Sequence, residues 1–157
     1  MIVFVRVDDR LIHGQVVLGW GRVLKPDRYV IIDDEVAETD WESELFMDAA
    51  PEGANVSILT VDEALKRFEE GIFDSERVFV LVKTPGTLLE LVDKGFKVDK
   101  INIGGLHYSE GRERLTENIY LSEVDREALR ELAKKGIKLE ARALPESEKV
   151  VLNSMVI

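Results

Sequence analysis

Short apolar segments alternate with helical segments along almost the whole chain of 157 residues. The apolar segments are rich in β-branched residues, so we expect them to form strands. These strands cover 2–7, 28–33, 55–60, 77–83, 100–105, 118–122 and 137–144. The helical segments cover 14–24, 35–50, 61–70, 85–94 and 123–135, with a short last helix after Pro145. Strands joined by helices of this length form βαβ units, whose sheet is mostly parallel.

We therefore expect a single doubly wound α/β domain over 1–157, with about six or seven mostly parallel strands and helices on both faces. An antiparallel strand is expected at an edge of the sheet. Polar and apolar residues alternate in 137–144, which is typical of an edge strand with one exposed face.

The composition excludes several classes of protein. A net charge of −10 makes general nucleic-acid binding improbable, because phosphate contacts need clustered Lys and Arg. The chain has no cysteine, which excludes disulfides, thiolate chemistry and cysteine zinc sites. It has neither an apolar run of about 18 residues nor a basic region before its first apolar run, so we expect a soluble protein without a signal peptide. Its many Glu, Lys and Arg residues and single glutamine resemble thermophile composition.

Polar side chains follow most of the predicted strands, at the edge where doubly wound sheets bind ligands. The residues at these strand ends are Asp8, Asp9, Arg10 and His13; Asp33, Asp34 and Glu35; Thr60 and Asp62; Lys83 and Thr84; and Gly104, Gly105 and His107. The end of the first strand carries the richest set. We therefore expect the functional site to be built around it.

His13 is the sharpest candidate within that set. It precedes Gly14, where a helix begins, and a helix N-terminus favours an anion. Arg10 lies three residues upstream, and its planar guanidinium suits phosphate oxygens. An imidazole is a competent nucleophile when a neighbour holds its tautomer, here an aspartate or a backbone carbonyl. These residues suit phosphoryl transfer; a loop histidine beside a surface ion pair is the alternative that composition and position leave open.

The stretch "RVDDRLIHGQV" (Arg6–Val16) resembles the active-site motif of the IIB subunits of the mannose/fructose/sorbose class of the bacterial phosphotransferase system. Four further segments are similar to segments of that family, so the resemblance covers nearly the whole chain. They are "DDEVA" (33–37), "KTP" (83–85), "INIGGL" (101–106) and "KKGIKLEAR" (134–142).

This resemblance implies that His13 accepts a phosphoryl group from phosphohistidine on a IIA protein, on the ring nitrogen nearer the backbone. The family passes the group on to a sugar bound by the membrane subunits IIC and IID. Arg10 matches an arginine beside the phosphoryl group, and Asp8 and Asp9 match an acidic pair that shapes the loop or orients the histidine. The family uses no metal or organic cofactor here. A cytoplasmic protein, held at the inner membrane through permease subunits, is implied.

The remaining site candidates have structural alternatives. Backbone amides of Gly14 and Gln15 are expected to hold phosphoryl oxygens. Lys83 and Thr84 either face the same pocket or begin a helix, and Gly104 and Gly105 either let backbone approach the phosphate or form a plain turn. His107 is a candidate for a second phosphorelay residue, and Asp33, Asp34 and Glu35 are expected to cap a helix. Trp20 and Trp41 are expected to pack in the core. A basic docking surface for IIA is expected from Arg6, Arg10, Arg22 and Lys25.

Three other functions remain open. A regulatory phosphocarrier without sugar transport would use the same chemistry. A receiver domain that forms an aspartyl phosphate needs an aspartate at the end of the third strand, where this chain has Thr60. A metal hydrolase would use Asp8, Asp9, His13 and Asp33, but Arg10 in their midst would repel a divalent cation.

Overall fold

A seven-stranded, mostly parallel sheet forms the centre of the computed structural model, which describes residues 1–157. The nine strands of the chain are β1 (Ile2–Asp8), β2 (Arg28–Ile32), β3 (Asn55–Leu59), β4 (Val78–Val82), β5 (Lys100–Gly105), β6 (Glu113–Thr116), β7 (Ile119–Leu121), β8 (Lys138–Ala141) and β9 (Val150–Val151). The strand order of the main sheet is β3-β2-β4-β1-β5-β8-β9, and β6 and β7 form a separate antiparallel pair. The predicted doubly wound sheet is confirmed, and β1 lies at its centre.

Helices cover both faces of this sheet. A π-helical segment (Gln15–Trp20) continues as α1 (Gly21–Leu24), and the other helices are α2 (Asp34–Glu38), α3 (Asp40–Ala49), α4 (Val61–Glu69), α5 (Pro85–Asp93) and α6 (Glu123–Lys134), with a 3₁₀ turn at Asn153–Met155. The π-helical segment and α2 pack on one face, and α4, α5 and α6 pack on the other. No helix is long and apolar enough to cross a membrane.

Alternate residues of the central strands divide between two hydrophobic cores. Val78, Val80 and Val82 enter the larger core beneath α4, α5 and α6, whereas Phe79 and Leu81 enter the smaller core beneath the π-helical segment. Strand β1 follows the same alternation, because Val5 and Val7 lie in the larger core. Its intervening side chains therefore point to the smaller-core face, where the functional site is built.

The strand pattern differs from the sequence-based expectation at the end of the chain. The segment predicted as 137–144 is not the edge, since β8 pairs in parallel with β5. The antiparallel edge strand is β9, which pairs with β8 over two residues. The segment predicted as 118–122 is β7, one arm of the β6–β7 hairpin that is tied to Leu106 beyond β5.

Two helical predictions also need correction. The helix expected over 35–50 is split at Thr39, whose backbone is extended and begins α3. The helix expected over 14–24 contains a π-helical segment, in which Gly21 N–H donates to Val16 O. The extra residue in that turn rotates the following residues, so Val16 and Trp20 are buried while Val23 is 62% exposed.

Candidate functional site

A tight turn after β1 brings His13 back over the end of its own strand. Leu11 adopts a left-handed conformation with φ 56°, and its N–H donates to Asp8 O at 3.0 Å. Its side chain is fully buried in the smaller core, which offsets the strain of a left-handed leucine. His13 consequently lies next to Asp8, the last residue of β1.

The carboxylate of Asp8 holds one ring nitrogen of His13. The Oδ2 atom of Asp8 is 2.9 Å from Nε2 of His13, and the Asp8 side chain has no solvent exposure. An ionised carboxylate can only accept hydrogen bonds, so Nε2 carries the proton and donates it to Asp8. The lone pair of the neutral ring is then on Nδ1, where the backbone N–H of Gln15 approaches to 3.3 Å. The site thus leaves Nδ1 as the unprotonated nitrogen of the neutral ring.

Asp8 is ionised because its surroundings favour the charged form. Burial alone would raise its pKa, but this effect is outweighed by the hydrogen bond from His13, by the N–H of Arg10 at 3.0 Å from Oδ1, and by the positive charge of Arg6. The pKa of the Asp8 carboxyl therefore lies below its ordinary value. The ionised carboxylate can therefore accept the Nε2 proton of the neutral His13 ring and hold that tautomer.

Arg6 is the residue that anchors Asp8. Its Nη2 atom is 3.0 Å from Asp8 Oδ2, and its Nη1 atom donates to Asn102 Oδ1 at 2.6 Å and to Arg142 O at 3.1 Å. The guanidinium is fully buried and lies 5.9 Å from the Trp20 ring centroid. Burial lowers the pKa of Arg6, and the Asp8 carboxylate opposes that shift.

This anchoring role was missed from the sequence, where Arg6 was assigned to an exposed docking surface. Because Arg6 is buried, that assignment is wrong. One signal was present: residues i and i+2 of a strand share a face, so Arg6 and Asp8 had to lie side by side.

Gly104 is explained by the same arginine. A Cβ at position 104 would lie 1.8 Å from Cζ of Arg6, whereas a Cβ at Gly105 would lie 3.4 Å from His107 and 3.5 Å from Asp8, which is ordinary contact. Gly104 therefore gives the buried guanidinium its space, independently of any phosphate.

We expect Gly104→Ala to slow phosphoryl transfer by at least tenfold, because Arg6 must move and Asp8 loses its anchor. Gly105→Ala is the matched control, since it adds the same methyl group to the same strand end without a clash. Steady-state transfer rates and thermal melting should be measured for both. Equal rates in the two variants would show that Arg6 does not position Asp8.

Arg10 and the helix start complete the front of the site. The guanidinium of Arg10 is 41% exposed and donates to Gln15 Oε1 at 2.9 Å, so it is held near the start of the helix that follows His13. Gly14 is exposed, and a Cβ there would meet nothing. His13 Nδ1, the Gln15 amide and the Arg10 guanidinium thus belong to one short loop that is open to solvent.

The second aspartate of the motif does not contact His13. Asp9 accepts hydrogen bonds from the His107 backbone N–H at 2.8 Å and from Arg112 Nη1 at 3.3 Å, and its Oδ1 lies 2.6 Å from His107 Nδ1. Arg112 also donates to His107 O at 2.7 Å. Asp9 therefore ties the segment after β5 to the active-site loop, and His107 belongs to this second cluster.

The other strand-end candidates serve neighbouring helices. Asp33 accepts from Val36 N–H and caps α2, while Thr60 and Thr84 cap α4 and α5. Lys83 lies 3.6 Å from Glu42 of α3. Asp33 therefore caps a helix and does not join Asp8 in a shared site. The chain contains no group of three or more His, Asp or Glu residues arranged to hold a metal ion. Thr60 follows the third strand, at the position where a receiver domain needs its acceptor aspartate.

Comparison with known proteins identifies the family to which the chain is related. A family model described as "PTS system sorbose subfamily IIB component" matches residues 2–157. The sorbose-specific EIIB component of Lacticaseibacillus casei is 36% identical, and the alignment covers 92% of this chain and 88% of that protein. The mannose-specific EIIAB component of Escherichia coli is 30% identical over 96% of this chain, which matches 47% of that longer protein.

The fold agrees with these relationships. The crystal structure of the IIBSor domain of the sorbose permease from Klebsiella pneumoniae superimposes with a TM-score of 0.93 at 33% sequence identity, covering 99% of this chain and 96% of that one. The chain is therefore a member of the sorbose subfamily of IIB components of the phosphotransferase system.

Proposed function

We propose that Nδ1 of His13 accepts a phosphoryl group from phosphorylated IIA and that the chain hands it to a sugar bound by the membrane subunits IIC and IID. The observation that carries this proposal is the hydrogen bond between Asp8 and Nε2 of His13. It leaves the Nδ1 lone pair as the only nucleophile of the ring. The same nitrogen lies beside the Gln15 amide at the start of a helix, where a phosphoryl group is favoured.

The transfer is a direct exchange between two imidazoles. The neutral His13 ring attacks phosphorus through Nδ1 as the bond between phosphorus and the donor histidine breaks. The phosphorylated ring keeps the proton on Nε2, and the ionised Asp8 compensates the positive charge that develops there. Both ends of the exchange are phosphoimidazoles, so the step is close to isoergic and reversible.

Arg10 and the helix start stabilise the transferred group. The exposed guanidinium of Arg10 needs only to exchange its bond with Gln15 Oε1 for a phosphoryl oxygen. Its charge and the free amides of the loop then neutralise the equatorial oxygens, which is the main requirement of phosphoryl transfer. This step uses only side chains and amides of the chain.

The sugar itself is selected elsewhere in this proposal. Relatives at similar identity are named for sorbose, fructose and mannose, so this similarity singles out no sugar. We place the chain at the cytoplasmic face of the inner membrane, held there through the permease subunits. No feature of the site favours a purely regulatory phosphocarrier.

Phosphopeptide mapping tests this function directly. The chain is incubated with ³²P-labelled phospho-IIA from the Escherichia coli mannose relative, whose own IIB half serves as the positive control, and is digested with trypsin at pH 8. Cleavage separates His13, in peptide 11–22, from His107, in peptide 101–112. We expect acid-labile, base-stable label in peptide 11–22 only. Label in peptide 101–112, or a base-labile acyl phosphate, would contradict the proposal.

A further inference from the structure

Helix α3 presents an apolar and acidic stripe to solvent. None of its residues is buried, and Trp41 and Leu45 are 68% and 56% exposed. Glu44 and Asp48 are also exposed. These four residues are spaced i, i+3, i+4 and i+7, so they lie along one side of the helix. We call this side the acidic α3 face.

The surroundings of the acidic α3 face strengthen its negative charge. Residues 34–52 contain no lysine or arginine, and their acidic residues are Asp34, Glu35, Glu38, Asp40, Glu42, Glu44, Asp48 and Glu52. A lysine from outside the segment, Lys83, lies 3.6 Å from Glu42, which is not part of the stripe. A partner for this face must therefore carry positive charge together with apolar surface that covers Trp41 and Leu45.

The start of the acidic α3 face lies at the same edge of the sheet as the His13 loop. Contact between Glu42 and Lys83 places the start of α3 at the carboxyl end of β4, the neighbour of β1. Val36 of α2 shares the smaller core with Leu11 and Ile12 of the His13 loop. A protein bound to the acidic α3 face is thus beside the loop that carries the phosphoryl group.

We infer that the acidic α3 face docks a lysine- and arginine-rich cytoplasmic loop of the membrane subunits, which is the second partner required by the proposed function. Cytoplasmic loops of membrane proteins carry an excess of Lys and Arg. A tryptophan with an acidic rim provides an apolar anchor and electrostatic steering towards such a loop. Two exposed basic residues lie at the His13 loop instead: Arg10 within it and Arg22, which lines a groove together with Gly14 and Gln15. These suit an acidic donor protein.

The charge of the face also argues for a protein partner over the lipid surface. Anionic headgroups of the cytoplasmic leaflet repel a surface whose only charged groups are carboxylates. The interaction should be weakened by salt, because the charges involved are exposed.

Two double variants and two matched controls test this inference. Trp41→Ala/Leu45→Ala removes the apolar anchor, and Glu44→Lys/Asp48→Lys reverses the charge. The controls are Ile72→Ala and Glu69→Lys, which alter an exposed apolar and an exposed acidic side chain near the amino ends of the strands. Co-sedimentation is measured with inverted membrane vesicles of the source organism, with the same vesicles after trypsin treatment, and with protein-free vesicles of the extracted lipids.

We expect the wild type and both controls to co-sediment with intact vesicles at low salt, and each face variant to lose at least tenfold in affinity. Trypsin-treated and protein-free vesicles should bind none of them. Equal binding by the face variants and the wild type, absent binding of the wild type, or undiminished binding to protein-free lipid would overturn the inference.

Labelling of His13 by phospho-IIA separates this inference from the proposed function. Both face variants should be labelled within twofold of the wild-type rate, because the donor uses another surface. If the face variants lose His13 labelling together with vesicle binding, the acidic α3 face is a docking site for the donor protein, and the inference is overturned. A wild-type chain that is never labelled on His13 contradicts the proposed function itself, whatever the vesicle result.

Discussion

His13→Ala should carry no phosphoryl label after incubation with phospho-IIA, under conditions in which the wild type is labelled to completion. The variant removes the whole imidazole, and with it the Nδ1 atom that is the proposed acceptor. The fold should be retained, because the His13 side chain is part of neither hydrophobic core and its one close side-chain contact is with Asp8. Label should be measured on intact protein by mass spectrometry at alkaline pH.

His107→Ala is the matched control for that experiment. It removes the other histidine of the chain, which lies at the same edge of the sheet and also bonds to an aspartate. We expect wild-type labelling in this variant. Residual label in His13→Ala that disappears in the double variant would show that His107 is a second acceptor.

Asp8→Asn should slow phosphoryl transfer by about 10²–10⁴-fold, the range of catalytic contributions from positioned acid–base groups. In the proposed mechanism, asparagine lacks the negative charge that compensates phosphorylated His13. Its amide N–H can also donate a hydrogen bond to Nε2 and favour the wrong tautomer. The variant also leaves the buried Arg6 without its counter-ion, which costs on the order of 3 kcal/mol of the free energy of unfolding. Transfer rates should be measured by rapid quench, and stability by urea unfolding.

A double variant separates these two effects. Arg6→Met/Asp8→Asn removes both buried charges, so we expect it to recover more than half of the stability lost in Asp8→Asn. It should recover none of the transfer rate, because Nε2 of His13 still lacks its carboxylate. Recovery of the rate together with the stability would show that Asp8 is a structural residue only.

Lowering the pH should reduce the difference in the free energy of unfolding between the wild type and Asp8→Asn. The folded-state pKa of Asp8 is lowered, so the carboxylate contributes its full stability above the unfolded-state pKa and loses it as pH falls through the folded-state value. The two proteins should therefore converge below about pH 4, and urea unfolding at several pH values measures this.

The strands and most helices were predictable because their signals are local. The five buried residues of β4 and the capping residues Thr60, Thr84 and Ser122 are visible as short patterns in the chain. Sequence was a poor guide to α3, where Trp41 was expected in the core but is 68% exposed. A large aromatic side chain predicts burial in general, and burial against a partner has the same sequence pattern as burial in a core.

The candidate site also combines features that local sequence predicts with features that depend on the tertiary structure. The sequence by itself determined that a histidine, an arginine and two aspartates stand at the carboxyl end of a parallel strand, because strand periodicity and family resemblance both depend on residues close in the chain. Only the tertiary structure decided which aspartate holds His13 and which holds His107. It also decided that Arg6 is buried under Gly104, a residue 98 positions away, to anchor Asp8. Such pairings depend on which strands become neighbours in the sheet, and strand order is a property of the whole fold.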